Sequence, residues 1–235
     1  MPCHVVCRWP SDIDADGFDF GDVGPVVEFT ADDAVLLTLV SAIVAGDANA
    51  VSRLLGATPM LARASLHKGV TRETASQFLG QFGRYFYAGD TALHAVAGAY
   101  RLELVRQLLA LGADLRARNR LGSEPLHAAA VGIPGSDGWD PEGQAATIAR
   151  LIHAGADPNA VDNRGVTPLH RAVRTRCASA VSALLAGGAD PRRANGNGTT
   201  PMALATQNTG RGGSGSPAAK AQQREIIGLL DQALS

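Results

Sequence analysis

Thr167-Pro168-Leu169-His170 is a phrase that this chain repeats. Degenerate copies stand at Thr91-Ala92-Leu93-His94, Glu124-Pro125-Leu126-His127 and Thr200-Pro201-Met202-Ala203. A second phrase travels in step with it: Gly112-Ala113-Asp114, Gly155-Ala156-Asp157 and Gly188-Ala189-Asp190. Successive copies of the first phrase begin 33, 43 and 33 residues apart. In each copy Thr can cap a helix, Pro can occupy its first turn without losing a hydrogen bond, and Leu can enter a core. A period of this length predicts a row of helix pairs joined by tight turns. Each pair has an apolar side that only a neighbour can cover, so the units are expected to stack as one elongated domain.

The same register extends outward from the repeats. Subtracting the phrase-to-Leu spacing of the later repeats from Leu54 points to Leu37-Thr38-Leu39-Val40 as a degenerate first copy. A capping repeat is therefore expected over 33–61, with helices at Asp33–Ala45 and Ala48–Leu55 broken at Gly46-Asp47. An inserted segment over 62–90 follows, in which Thr71 can N-cap a short helix to about Leu79. It holds Phe78, Phe82, Tyr85, Phe86 and Tyr87, which either plug the end of the first repeat interface or form a patch for a partner. The remaining repeats begin at 91, 124, 167 and 200. The second and fourth of these carry Gly- and Pro-rich insertions, at 131–143 and 207–219, where the others have a short turn between helices. Both insertions are expected to flank Arg174-Thr175-Arg176, and the last outer helix to run from Gln222 to Leu234.

Of the 235 residues 46% are hydrophobic and only 5% aromatic, so the core must be built from Ala, Leu and Val. Net charge is −1 but uneven: residues 1–35 hold eight acids against Arg8, and the rest of the chain has a basic surplus. Residues 1–30 read as an acidic N-terminal arm, disordered or laid along a basic body where it competes with an acidic partner. No apolar run reaches the ~18 residues that span a bilayer, and no secretory h-region precedes Ser11. Cys3, Cys7 and Cys177 form no disulfide framework, which points to a reducing cytoplasm. The Ala-, Arg- and Gly-rich, Lys-poor composition points to a GC-rich bacterial source.

The phrases in register resemble the ankyrin repeat family over most of residues 33–234. The resemblance implies an all-α solenoid of about five repeats, helix pairs with β-hairpin turns, the outer two acting as caps. It implies a non-enzymatic module that binds another protein, with no cofactor, no metal and no catalytic residues. It also implies that the phrase-ending histidines tie neighbouring turns together through their ring nitrogens. His94, His127 and His170 are then structural: repeats stack about 10 Å apart, whereas zinc needs ligands at about 2 Å.

For a discrete binding site the insertion cluster stands out: Trp139, Asp140, Arg174, Arg176 and Arg211. Trp139 either anchors a partner by burial or pins its own loop, and the arginines suit acidic groups. A second candidate is the row of hairpin tips, where Arg116, Arg118, Arg120, Arg164, Arg192 and Arg193 form either an anion-facing edge or solvated turn charge. The alternative function is a small-molecule or anion-binding protein, enzymatic in one version, with its cleft between the insertions at 131–143 and 207–219. Nucleic acid is disfavoured by the acidic arm, a pI near 6.6 and the absence of aromatics beside those arginines. Weaker motifs are Asp12-Ile13-Asp14-Ala15-Asp16-Gly17, half of a calcium loop with Val23 where a Glu is needed, and the Cys3, His4, Cys7 cluster. The Gly210–Ser216 run lacks the Lys of a nucleotide loop, and Cys177 reads as a small helix residue.

Overall fold

The computed structural model describes residues 31–68, 86–136, 139–207 and 217–235. Among the described residues it contains α1 (Ala31–Ala45), α2 (Ala48–Ala57), α3 (Ala92–Gly98), α4 (Leu102–Ala110), α5 (Pro125–Ala129), α6 (Pro141–His153), α7 (Pro168–Arg174), α8 (Ala178–Ala186), α9 (Pro201–Thr206) and α10 (Pro217–Leu234). The first helices of the pairs, α1, α3, α5, α7 and α9, pack in one row; α4, α6, α8 and α10 pack in a second. This is the stacked all-α solenoid that the repeats predict. No described helix is long and apolar enough to cross a membrane.

The core follows from the repeated phrase. Leu93, Leu126 and Leu169 are fully buried in one core cluster with Leu108, Ile148, Leu151 and Leu184 of the second row. Leu36, Leu39 and Ile43 close one end, and Ile226 and Leu230 the other. Each such side chain contributes roughly 1.5–3 kcal/mol of burial. Helices α3, α5, α7 and α9 have only five to seven residues, below the length at which a helix persists alone, so caps and stacking hold them. Thr91, Glu124, Thr167 and Thr200 enter them with extended backbone, and Pro stands in the first turn of α5, α7 and α9.

Each later hairpin tip is built by one side chain. Asn119, Asp162 and Asn195 use Oδ1 to accept two backbone N–H groups, two and four residues ahead, at 2.9–3.0 Å. The arms are too short for strands; the described residues hold only an isolated bridge, between Ser65 and Thr91. Neighbouring tips are stitched together by Arg120 N–H to Ala88 O, Asn163 N–H to Leu121 O and Gly196 N–H to Arg164 O, at 2.7–3.0 Å. The short inter-helix turns place Gly46, Tyr100 and Arg176 at the same left-handed position, with φ of 73°, 58° and 58°.

Three expectations change. Helix α1 is already formed at Ala31, so Leu37–Val40 lie inside it rather than at its start. Its Asp33, counted above with the acidic end, is buried and accepts N–H bonds from His67 and Lys68 at 2.8 and 3.2 Å. The insertions also feed the second helices: Pro141–Gly143 and Pro217–Ala219 are helical, and Pro141 fills the first turn of α6. Of the inserted segment after the capping pair, Thr71, Phe78, Phe82 and Tyr85 lie outside the described residues. Its two feet meet where Leu66 N–H bonds Asp90 O and Gly89 N–H bonds Leu66 O, at 2.9 and 2.7 Å, and Phe86 is buried in the core.

Candidate functional site

The histidines at the ends of the phrases are used within the stack. Nδ1 of His94, His127 and His170 accepts the N–H of Thr91, Glu124 and Thr167, at 3.1–3.3 Å. The proton therefore sits on Nε2, which donates to Ser123 O, Val166 O and Thr199 O of the next hairpin at 3.0–3.1 Å. Burial, helped by the charge of Arg171, pulls the pKa of His127 down to about 3; burial lowers His170 too. Both rings are neutral at ordinary pH, as the bridging tautomer requires. No His, Cys, Asp and Glu cluster among the described residues has metal-site geometry.

The insertion loop after α5 and the short turn after α7 adjoin each other. A Cβ on Gly132 would lie 2.8 Å from both Cys177 Sγ and Trp139 Nε1. Trp139 packs against the core and donates its indole N–H to Gln144 Oε1 at 3.0 Å. Asp140 N-caps α6, accepting Gly143 N–H at 2.8 Å. Both residues thus have internal work. Arg174 and Arg176 stand at the end of α7 and in the turn beyond it, and neither guanidinium has a hydrogen bond or ion pair among the described residues. Arg211 and the Gly210–Ser216 run lie outside the described residues, as do Asp12–Gly17 and Cys3, His4 and Cys7. Cys177 is a fully buried thiol near the Thr175 hydroxyl.

At the hairpin edge the arginines divide. Arg118 bonds Gly122 O and Val161 O at 3.1 and 3.0 Å, Arg120 stacks 4.9 Å from the Tyr87 ring centroid, and Arg192 reaches Leu234 O at 2.7 Å. These three tie the tips to their neighbours. Arg116, Arg164 and Arg193 are exposed.

Several polar residues outside the motif matter more than their spacing suggested. Gln144, wholly buried, accepts from Trp139 and donates to Ala129 O at 2.9 Å, closing the end of α5. Gln223 repeats this at Ala205 O, the end of α9, at 2.7 Å. Arg171 on α7 donates to Ser123 Oγ and Asp162 Oδ2 at 2.6 and 2.9 Å. Burial works to raise the pKa of Asp162, but Arg171 and the Val166 and Arg164 N–H groups overcome it and hold it low. Asp90 is pushed up by burial, against His94 and the hydrogen bonds from Tyr87 and Asn119. Glu124 keeps the reciprocal cap with His127, yet its Oε2 is buried without a partner and burial raises its pKa. A Gln or Arg on a helix face carries no sequence signal of such a role.

Residues 151–205 match the family model described as ankyrin repeats (many copies), and residues 88–120 match that of the ankyrin repeat. The chain is 38% identical over 96 residues to E3 ubiquitin-protein ligase KEG of Arabidopsis thaliana, covering 40% of this chain and 5% of that protein. It is 34% identical over 97 residues to NF-kappa-B inhibitor alpha of Sus scrofa, 40% of this chain and 28% of that one. It is 36% identical over 88 residues to cyclin-dependent kinase 4 inhibitor B of Mus musculus, 37% of this chain and 59% of that one. The chain therefore spans only a small part of the longer relatives that it resembles.

Proposed function

We propose that this all-α ankyrin-repeat solenoid is a non-enzymatic module that binds another protein, through the outward face of its first helices, its hairpin tips and the loops beside Arg174. The reading rests on one observation above all. The polar groups of the repeated phrase are consumed in holding repeats together, histidine to carbonyl, while Arg174 and Arg176 are left unpaired beside them. A rigid rack with unsatisfied cations at its edge suits recognition better than turnover, since a recognition surface needs preorganisation and no activated nucleophile. Two of the relatives are named as inhibitors of another protein, which agrees with this reading. The partner is a protein rather than nucleic acid, on the acidic arm and the pI near 6.6, and the setting a reducing, bacterial-type cytoplasm, on cysteine usage and the Ala-, Arg- and Gly-rich composition. Of the residues put forward above, Arg174, Arg176 and Arg211, with Arg116, Arg193 and Arg164 on the edge, remain candidates for contact; Trp139 and Asp140 support their loop.

The test is site-specific photo-crosslinking. A photoreactive residue replaces Arg176 in one variant and exposed Ala149, on the second-helix row, in another. The expected result is a discrete protein adduct from position 176 and none from 149, with the captured protein, purified, binding the purified chain. Identical adducts from both positions, or none from 176, would overturn the reading.

A further inference from the structure

The geometry points to the kind of partner: an acidic, partly apolar peptide segment, seated across α5, α7 and α9 with a carboxylate forked onto Arg174. This rests on the protein-binding reading above. Arg171 and Arg174 lie one turn apart on α7, on one helix face. Arg171 is held in place by Asp162 and Ser123, with a quarter of its side chain exposed. Arg174 has no ion pair among the described residues; partial burial and then the charge of Arg171 work against its own, and Asp162, already paired with Arg171, favours it. An exposed guanidinium one helical turn from a second is a site short of one anion.

The flanks define the rest of the ligand. Four residues past its capping residue each first helix presents the same position: Ala128 on α5, Arg171 on α7 and Leu204 on α9. All three are only partly buried. Rows spaced about 10 Å apart make this strip about 20 Å wide, the span of about six extended residues. Small on one side, cationic in the middle and apolar on the other, it fits a carboxylate next to a large apolar side chain. An oligonucleotide fits poorly: Phe86 and Tyr100 are buried, Tyr87 lies against Arg120, and Trp139 packs on the core with its indole N–H bonded to Gln144, so the described aromatics offer no free stacking platform there.

Fluorescence anisotropy on the whole chain tests this, with a labelled twelve-residue peptide of Asp, Glu and Leu and an oligothymidylate of equal charge as probes. The expected result is saturable, salt-weakened peptide binding that falls at least tenfold in Arg174→Glu, with partial rescue in Arg174→Lys. Arg53→Glu, an equal charge change on exposed α2, should stay within twofold. Circular dichroism melts establish that each variant is folded. No binding at millimolar peptide, equal loss in both charge reversals, or tighter binding of the oligothymidylate overturns the proposal. If crosslinking maps a native partner to position 176 while the peptide ignores Arg174, the acidic segment falls and the protein-binding module stands.

Discussion

His127 bridges two repeats from within the stack, and protonating it should pull them apart. It is wholly buried; Nδ1 accepts from Glu124 N–H and Nε2 donates to Val166 O. A second proton has no acceptor at Nδ1 and must expel that backbone N–H. The folded pKa is about 3 against an ordinary 6.5. The unfolded chain thus binds more protons than the folded one between these values, so this residue's stabilisation is full above pH 6.5 and is lost as pH falls towards 3. Integrated from pH 7 to pH 5, the loss is about 2 kcal/mol. His170 acts in the same direction, while Asp90 and Glu124, whose pKa values are raised, gain stability as they take up protons. A difference measurement cancels these. Urea unfolding of the chain and of His127→Gln, which keeps a group able to accept from the capping N–H, should show a deficit for the variant at pH 7 that shrinks by about 2 kcal/mol at pH 5. A deficit that stays constant across that range refutes the buried neutral bridge.

Three further outcomes are expected. Gln144→Leu removes the bond that closes α5 and the partner of the Trp139 indole, and should destabilise by about 2–3 kcal/mol in urea titrations; in a Trp9→Phe background the emission of Trp139 should shift to the red. Gly143→Ala sets a Cβ against Asp140 Oδ2, so the cap must swing away; the lost cap and the gain of Ala over Gly in a helix are each about 1 kcal/mol, so net stability should change little, while Asp140→Ala should cost about 1 kcal/mol in the parent chain and little in the Gly143→Ala background. Arg171→Met leaves buried Asp162 without its cation and should lower stability by about 2–4 kcal/mol at neutral pH. Because the folded pKa of Asp162 is depressed, that deficit is full above 3.8 and should shrink as pH falls below it, read by calorimetry at pH 7 and pH 3.

The fold was legible because its signals are local and periodic. Thr or Glu, Pro, Leu and His at fixed offsets specify a cap, a helix start, a core residue and a bridge, and the period places one beside the next. The glycines of the second phrase, Gly112, Gly155 and Gly188, do take the left-handed conformation that ends a helix, with φ of 81°, 104° and 91°. The candidate site was legible only in part. Trp139 and Asp140 looked available because an aromatic and an acid in a Gly-rich loop show no partner within the loop itself. Their partners are Gln144 and Gly143, and only the path of α6 reveals that its first turn begins at Pro141 and turns those groups inward.

The amino-acid sequence by itself determined that helix pairs recur, that α3, α5, α7 and α9 open just after Thr91, Glu124, Thr167 and Thr200, and that the pairs shelter one another in a row, since those properties follow from spacing and from which side chains water rejects. The three-dimensional packing decided which polar groups are spent and which are spare. Arg118, Arg171 and Arg192 have the same chemistry as Arg174 and Arg176, but their hydrogen-bond partners, among them Val161, Ser123 and Leu234, lie 42–48 residues away along the chain. Charge type is a property of one residue, whereas its satisfaction depends on neighbours that only folding brings within 3 Å.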